Sequence, residues 1–255
     1  MTDLFDLTGR TALVTGSSRG LGQSLALALA RAGVRVTLHG RDGAALTAGA
    51  DLLERETGTR PATVAFDVTD AAAVEDAVGR LLAEQGVPDV LVNNAGLQRR
   101  APFTEFSVAD WDAVIASNLS GVFYVSRFVA PGMVERGSGK IVNIASVQSV
   151  LARQTIAPYS ASKGGVAQLT RGMAADLARH NVQVNTISPG YFATEMNTDL
   201  WQDPEFDAWL RQRTPARRWG RVEELQGTLV YLASRASDFV SGQNIFVDGG
   251  MTSVV

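Results

Sequence analysis

The stretch Thr15-Gly16-Ser17-Ser18-Arg19-Gly20-Leu21-Gly22 constrains the fold more than any other part of the chain. It sits between a short apolar run, Thr11–Thr15, and a longer alanine- and leucine-rich stretch. Glycines at this spacing let the chain turn tightly and bring backbone N–H groups close to an anion. The N-terminus of the following helix adds partial positive charge. The spacing is Gly-x-x-x-Gly-x-Gly rather than Gly-x-Gly-x-x-Gly. A turn that binds nothing can share this composition, but the position after the first strand favours a phosphate cradle.

The rest of the sequence repeats the strand-then-helix alternation. Strands are predicted at 11–15, 34–38, 62–66, 90–92, 141–144, 182–187 and 245–247, with helices at 20–32, 42–57 and 70 to about 85. Continuous Val/Ile/Leu runs separated by helices indicate parallel strands covered on both faces. Crossovers between parallel strands are right-handed by strong preference. The predicted fold is therefore α/β: one Rossmann-type, three-layer domain over residues 1–255, with a doubly wound, seven-stranded parallel sheet. Linkers and repeats are absent from the sequence. The stretch from Gly190 to Thr214 reads as irregular, and a segment of that length in a compact domain is usually a lid.

Composition narrows the partners. The net charge is −3, so no basic field recruits nucleic acid. Cysteine is absent, which excludes disulfides and thiolate chemistry and suits a reducing compartment. The start, Met1-Thr2-Asp3, lacks the basic region of a secretion signal. The longest apolar stretch is read at Ser24–Val34, short of the about 20 residues a bilayer needs. A cytoplasmic protein with no membrane or nucleic-acid partner is expected. His39 and His180 are too isolated to argue a metal site, and none is expected. Trp111, Trp201, Trp209 and Trp219 read first as packing residues, although Trp201 and Trp209 fall within the lid.

Tyr159 and Lys163 are four residues apart and share a face if helical. A free tyrosine, pKa about 10, is a poor base at neutral pH. A neighbouring ammonium favours the phenolate, and lowering the pKa by about 3 units takes roughly 4 kcal/mol. Tyr159 could then take a proton from an alcohol, or return one to a carbonyl oxygen. Ser146 follows the fifth strand, at the end where open α/β sheets present ligands, and its hydroxyl can bond the reacting oxygen. By chance alone, a Tyr-x-x-x-Lys pair on a helix surface is common.

The ordered set Thr15-Gly16-x-x-x-Gly20-x-Gly22, Asn93-Asn94-Ala95-Gly96, Ser146, Tyr159-x-x-x-Lys163 and Pro189-Gly190 resembles the short-chain dehydrogenase/reductase family, from about Leu4 to Met251. Leu21 stands where isoleucine is common. The resemblance implies hydride transfer between a nicotinamide and a carbonyl or secondary alcohol. It makes Asn118 the fourth catalytic residue, helping to hold a water that links Lys163 to solvent. It also places Asn94, Ala95 and Gly96 beside the adenine ribose, Asp67 and Val68 at the adenine, and Pro189, Gly190 and Thr194 at the nicotinamide carboxamide and phosphates. A homotetramer is implied, with one interface near Trp111–Arg136 and Tyr159–His180 and a second at the C-terminal strand and the tail to Val255.

NAD enzymes of this build carry an acid at the end of the second strand, on the ribose 2′-hydroxyl. Here the sequence is His39-Gly40-Arg41-Asp42. Arg41 and Arg19, with no opposing carboxylate, suit a 2′-phosphate, so NADP(H) is expected. Asp42 is either the N-cap of the next helix, the preferred reading, or a ribose contact. Narrower blocks, Asn93–Phe103, Met133–Arg136, Ser146–Gln148, Pro189–Met196 and Arg213–Gly220, resemble the gluconate 5-dehydrogenase branch of the family. A sugar acid needs a cation for its carboxylate and polar groups for its hydroxyls, and Arg100, Gln148 and Arg153 suit those roles, with Ser146 and Tyr159 at the reacting oxygen. Gln98 and Arg99 are further candidates. Two alternatives stay open: a 3-oxoacyl-acyl-carrier-protein reductase, and an idle NADP(H)-binding regulator.

Overall fold

Each run of branched apolar residues becomes a strand because helices cover it on both sides. The computed structural model describes residues 4–194 and 197–254. The acidic start Met1–Asp3, the Glu195-Met196 end of one block and the terminal Val255 lie outside the described residues. The strands are β1 (Thr11–Val14), β2 (Arg35–Gly40), β3 (Ala62–Ala65), β4 (Val90–Asn93), β5 (Gly139–Ile144), β6 (Val182–Pro189) and β7 (Asn244–Val247). They form one seven-stranded sheet in the order β3-β2-β1-β4-β5-β6-β7, parallel throughout. The order reverses between β1 and β4, and that switch point opens a crevice at the carboxyl ends of the strands.

The helices are α1 (Gly20–Arg31), α2 (Gly43–Thr57), α3 (Ala71–Gln85), α4 (Val108–Ile115), α5 (Gly121–Arg136), α6 (Ala157–Leu177), α7 (Thr198–Trp201), α8 (Pro204–Arg213) and α9 (Gln226–Ala233). Strand β4 shows why its sequence is continuously apolar. Val90 and Val92 join the core under α1, α2 and α9, while Leu91 joins the opposite core under α3 and α5. Asp42 and Asp70 cap α2 and α3 by accepting from the second and third backbone N–H groups that follow them.

Three expectations are corrected. The segment 190–214 is not irregular: it holds α7 and α8. Asp203 caps α8, accepting from Glu205 and Phe206 N–H, and Pro204 occupies the first turn. This Asp-Pro start is a sequence signal for a helix. The longest apolar element is also not Ser24–Val34. Residues Val108–Arg136 run as one helical span, long and apolar enough by composition to cross a bilayer, but half of its apolar window is packed inside the protein. Val114, Val122, Val125, Val129 and Met133 supply that buried face. Finally, Trp111 and Trp201 are each more than two-fifths exposed; Trp209 is as exposed but packs on Tyr191 and Phe206, and Trp219 is a core residue.

Candidate active site

Strands β1, β4, β5 and β6 each end in a residue of the crevice. After β1, Gly16 and Gly20 adopt left-handed φ values of +61° and +60°. A Cβ on Gly16 would lie 2.8 Å from the Ala95 Cα, and one on Gly22 would collide with the Gly16 carbonyl and the Asn94 amide. The loop is tied to β4 by Asn94, whose Nδ2 donates to the carbonyls of Thr15 and Gly16. Asn94 and Ala95 N–H both donate to Thr15 Oγ1. His39, set aside in the sequence, braces the same loop: its Nδ1 accepts from Gly16 N–H and its Nε2 donates to the Phe66 carbonyl. The cradle is thus built of backbone that only glycine can form, and it fits a phosphate-bearing ligand.

Ser18 fills the space beside Gly40. A Cβ on Gly40 would sit 3.2 Å from Ser18 Oγ, so an acidic residue there would be crowded. Asp42 is spent as a helix cap. Arg19 and Arg41 are exposed. The expectation that Arg41 faces no carboxylate is corrected: it pairs with Asp67 at 3.3 Å. Asp67 is held below the usual carboxylate range, against the penalty of burial, by the Thr69 N–H and hydroxyl and by Arg41. With 72% of the Arg41 side chain in solvent, this ion pair contributes little and yields to a stronger anion. Val68 is a core side chain against Gly121. Leu21 packs partly on the core below α1. Pro189 ends β6, and Gly190 lies where a Cβ would strike Asp248. Thr194 accepts from Asn197 N–H.

Ser146 follows β5, and its Oγ accepts from Gln148 N–H at 3.2 Å. It is also hydrogen-bonded to Tyr159. Tyr159 and Lys163 stand one turn apart on α6, and the Lys163 Nζ is 5.6 Å from the Tyr159 ring centroid. Lys163 alone does not lower the Tyr159 pKa; the expectation also draws on the positive charge of a bound nicotinamide. Burial pushes the phenol up to about 12, opposed by the Ser146 hydrogen bond. Lys163 is itself pushed down to about 8 by burial, and its Nζ donates to the Ile144 carbonyl at 2.7 Å. In the protein alone desolvation outweighs the Ser146 hydrogen bond, and Tyr159 is protonated at neutral pH.

Asn118 lies in a π-helical turn, Ala116–Ser120, between α4 and α5. Its side chain is spent on protein. Its Oδ1 accepts from Leu97 N–H at 2.8 Å, and its Nδ2 donates to the Leu97 carbonyl and to Ser162 Oγ. Ser162 in turn donates to the Tyr159 carbonyl. Asn118 therefore locks the chain beyond Gly96 to the first turns of α6; a Cβ on Gly96 would come 3.0 Å from its Oδ1.

Beside Ser146 and Tyr159 opens a pocket lined by Gln98, Arg100, Gln148, Arg153, Ile156, Gly190, Tyr191, Asn197 and Leu200. Arg99 is outside it, paired with Asp110 at 3.3 Å. Arg100 is held below its usual range by burial and then by the like charge of Arg153, with Asp199 opposing. The Arg153 guanidinium lies 5.2 Å over the Phe206 ring, and its Nε is buried without a partner. Two cations so placed would be relieved by an anion. Tyr191 was missed in the sequence, as were Asn197 and Leu200. Its signal was its place directly after Gly190 at the carboxyl end of β6.

A family model described as enoyl-(acyl carrier protein) reductase matches residues 16–252. The chain is 55% identical to a gluconate 5-dehydrogenase of Gluconobacter oxydans (strain 621H), covering 98% of this chain and 97% of that protein. It is 49% identical to the 5-keto-D-gluconate 5-reductase of Escherichia coli (strain K12) over the whole of both chains. The crystal structure of a gluconate 5-dehydrogenase from Burkholderia cenocepacia J2315, in complex with NADP and tartrate, superposes with a TM-score of 0.96 at 51% identity over 99% of each chain.

Proposed function

This chain belongs to the short-chain dehydrogenase/reductase family, and we propose that it interconverts D-gluconate and 5-dehydro-D-gluconate with NADP(H). The pocket carries this reading: Arg100 and Arg153, both lining it beside Ser146 and Tyr159, offer paired cations to a sugar-acid carboxylate. The gluconate 5-dehydrogenase and 5-keto-D-gluconate 5-reductase names of full-length relatives support it. So does the hydroxy acid tartrate, bound with NADP in a structural neighbour.

Gly16, Ser18, Gly20, Leu21 and Gly22 would hold the pyrophosphate through the glycine cradle, and Arg19 and Arg41 would hold the 2′-phosphate. Asp67, Val68, Asn94, Ala95 and Gly96 would line the adenosine side, while Pro189, Gly190 and Thr194 would line the nicotinamide side with Tyr159 and Lys163. When bound, NADP(H) supplies or accepts the hydride. Ser146 and Tyr159 hold the reacting oxygen, and the Tyr159 phenol gives its proton to the alkoxide as it forms in reduction. In oxidation the same atom takes the proton back. Arg100 and Arg153 fix the carboxylate at a set distance from Tyr159, which selects the carbon that reacts.

The test is Arg100→Ala, assayed on the sugar acid and on a neutral ketone. Loss of a charged hydrogen-bond partner should cost roughly 1.5–3 kcal/mol, about tenfold to a hundredfold in kcat/KM, on the acid alone. Equal losses on both would assign Arg100 a structural role. The description of the matching family model names an acyl carrier protein, but its enoyl group is a carbon–carbon double bond, so it lends the acyl-carrier-linked ketone reading only the carrier. The polar pocket, with its unpartnered Gln148 and Arg153 atoms, speaks for a hydroxylated acid. We also place the enzyme in the cytoplasm, as its cysteine-free sequence suits, and as a homotetramer. The exposed Phe103, Trp111 and Phe123 on and before α4 and α5 support the assembly.

A further inference from the structure

Two groups in the pocket have hydrogen-bonding capacity that the reaction at the carbonyl leaves unused. Gln148 is 7% exposed, and its Oε1 has no hydrogen-bond partner. Its side chain acts on the Tyr191 hydroxyl in the same pocket. With Oε1 unpaired, the amide group turned to Tyr191 Oη is the donor Nε2, which leaves the Tyr191 proton free to donate. Tyr191 keeps that proton: burial raises its pKa against the opposing charges of Arg153 and Arg100.

The position of this pair is fixed on both sides. The backbone N–H of Gln148 bonds Ser146 Oγ, and Tyr191 is close enough to Tyr159 to act on it electrostatically. Behind Tyr191, the rings of Trp209 and Trp219 meet it edge-on at 6.1 and 5.8 Å, and Phe206 lies at 5.6 Å. Helix α8 and the turn after it thus hold the phenol in place.

One buried acceptor and one donor, side by side next to the Ser146–Tyr159 pair, complement a hydroxyl group. A carboxylate would meet the lone pairs of Oε1, and a methylene would leave both groups unpaired at a cost. We propose that Gln148 and Tyr191 together read a hydroxyl on the carbon adjacent to the reacting one, so that the enzyme selects α-hydroxy ketones and vicinal diols over their deoxy counterparts. This rests on the assignment of Ser146 and Tyr159 to the reacting oxygen. It makes Tyr191 a specificity-determining residue.

The experiment compares kcat/KM of the wild type and Tyr191→Phe on D-gluconate, 4-deoxy-D-gluconate and 6-deoxy-D-gluconate. The wild type should lose about tenfold or more on one of the two deoxy acids. Tyr191→Phe should lose a similar factor on D-gluconate, yet no more than about twofold further on that deoxy acid, because the partner is already gone. NADPH affinity should be the same in both proteins. Equal wild-type rates on all three acids, or losses that multiply, would overturn the proposal. If none of the gluconates reacts, the gluconate assignment fails separately. The pair is then judged on 1-hydroxy-2-butanone against 2-butanone: a hydroxyl preference abolished by Tyr191→Phe supports it, and a preference that is absent or unchanged overturns it.

Discussion

His39 Nδ1 accepts the backbone N–H of Gly16 at 3.0 Å, which ties the end of β2 to the first glycine of the phosphate loop. The same ring donates from Nε2 to Phe66, so both nitrogens are used by the neutral imidazole. Burial lowers its pKa to about 4, against the ordinary 6.5. Protonation would set two N–H donors against each other at Gly16.

Stability should therefore fall with acid in a defined window. The unfolded chain binds the His39 proton near pH 6.5 and the folded chain only near 4. The contribution is full above 6.5 and is lost as pH falls toward 4, by roughly 3 kcal/mol. In thermal unfolding, His39→Asn should flatten the dependence of Tm on pH between 6.5 and 4.5. Parallel curves for variant and wild type would show that His39 does not titrate there.

A phenol pushed up to about 12 makes a sign-definite prediction for catalysis. Reduction needs Tyr159 protonated and should be flat through neutral pH. Oxidation needs the phenolate and should accelerate as pH rises. Tyr159→Phe should cost about 10²–10⁴ in kcat in both directions and leave NADPH affinity nearly unchanged. An oxidation rate that falls with rising pH from 7 to 9 would contradict this protonation state.

A 2′-phosphate would compete with Asp67, at 3.3 Å, for the exposed Arg41. Arg41→Ala should lower the preference for NADPH over NADH by about tenfold to a hundredfold in kcat/KM. Arg41→Asp should lower it further, since a second carboxylate beside Asp67 repels the 2′-phosphate. An unchanged cofactor ratio in both variants would remove Arg41 from the 2′-phosphate site.

The fold was legible because each strand's sequence carries its own burial: Val90, Leu91 and Val92 are apolar for both cores at once. The phosphate loop and the Tyr159–Lys163 pair were legible because they are local in sequence. Helices α7 and α8 were not, because they are short and polar and only the Asp203-Pro204 start marks α8. Nor was the Arg41–Asp67 pair, which joins residues 26 apart, or the desolvation of Tyr159, which depends on what closes over it. Tyr191 needed the fold, since its role depends on Gln148 and on rings from α8.

The exposed Phe103, Trp111 and Phe123 predict assembly through α4 and α5. Light scattering at micromolar concentration should give the mass of a tetramer, and Phe123→Arg should yield a smaller species that keeps its fold by circular dichroism. A monomeric wild type would contradict this.

The most direct test follows NADPH consumption by the purified enzyme with 5-dehydro-D-gluconate, with the product identified by NMR. The expected result is D-gluconate formed one-for-one with NADPH oxidised, and the reverse reaction from D-gluconate and NADP⁺. Failure to turn over either sugar acid, alongside good reduction of a 3-oxoacyl ester, would contradict the assignment and move the chain to the acyl reductases.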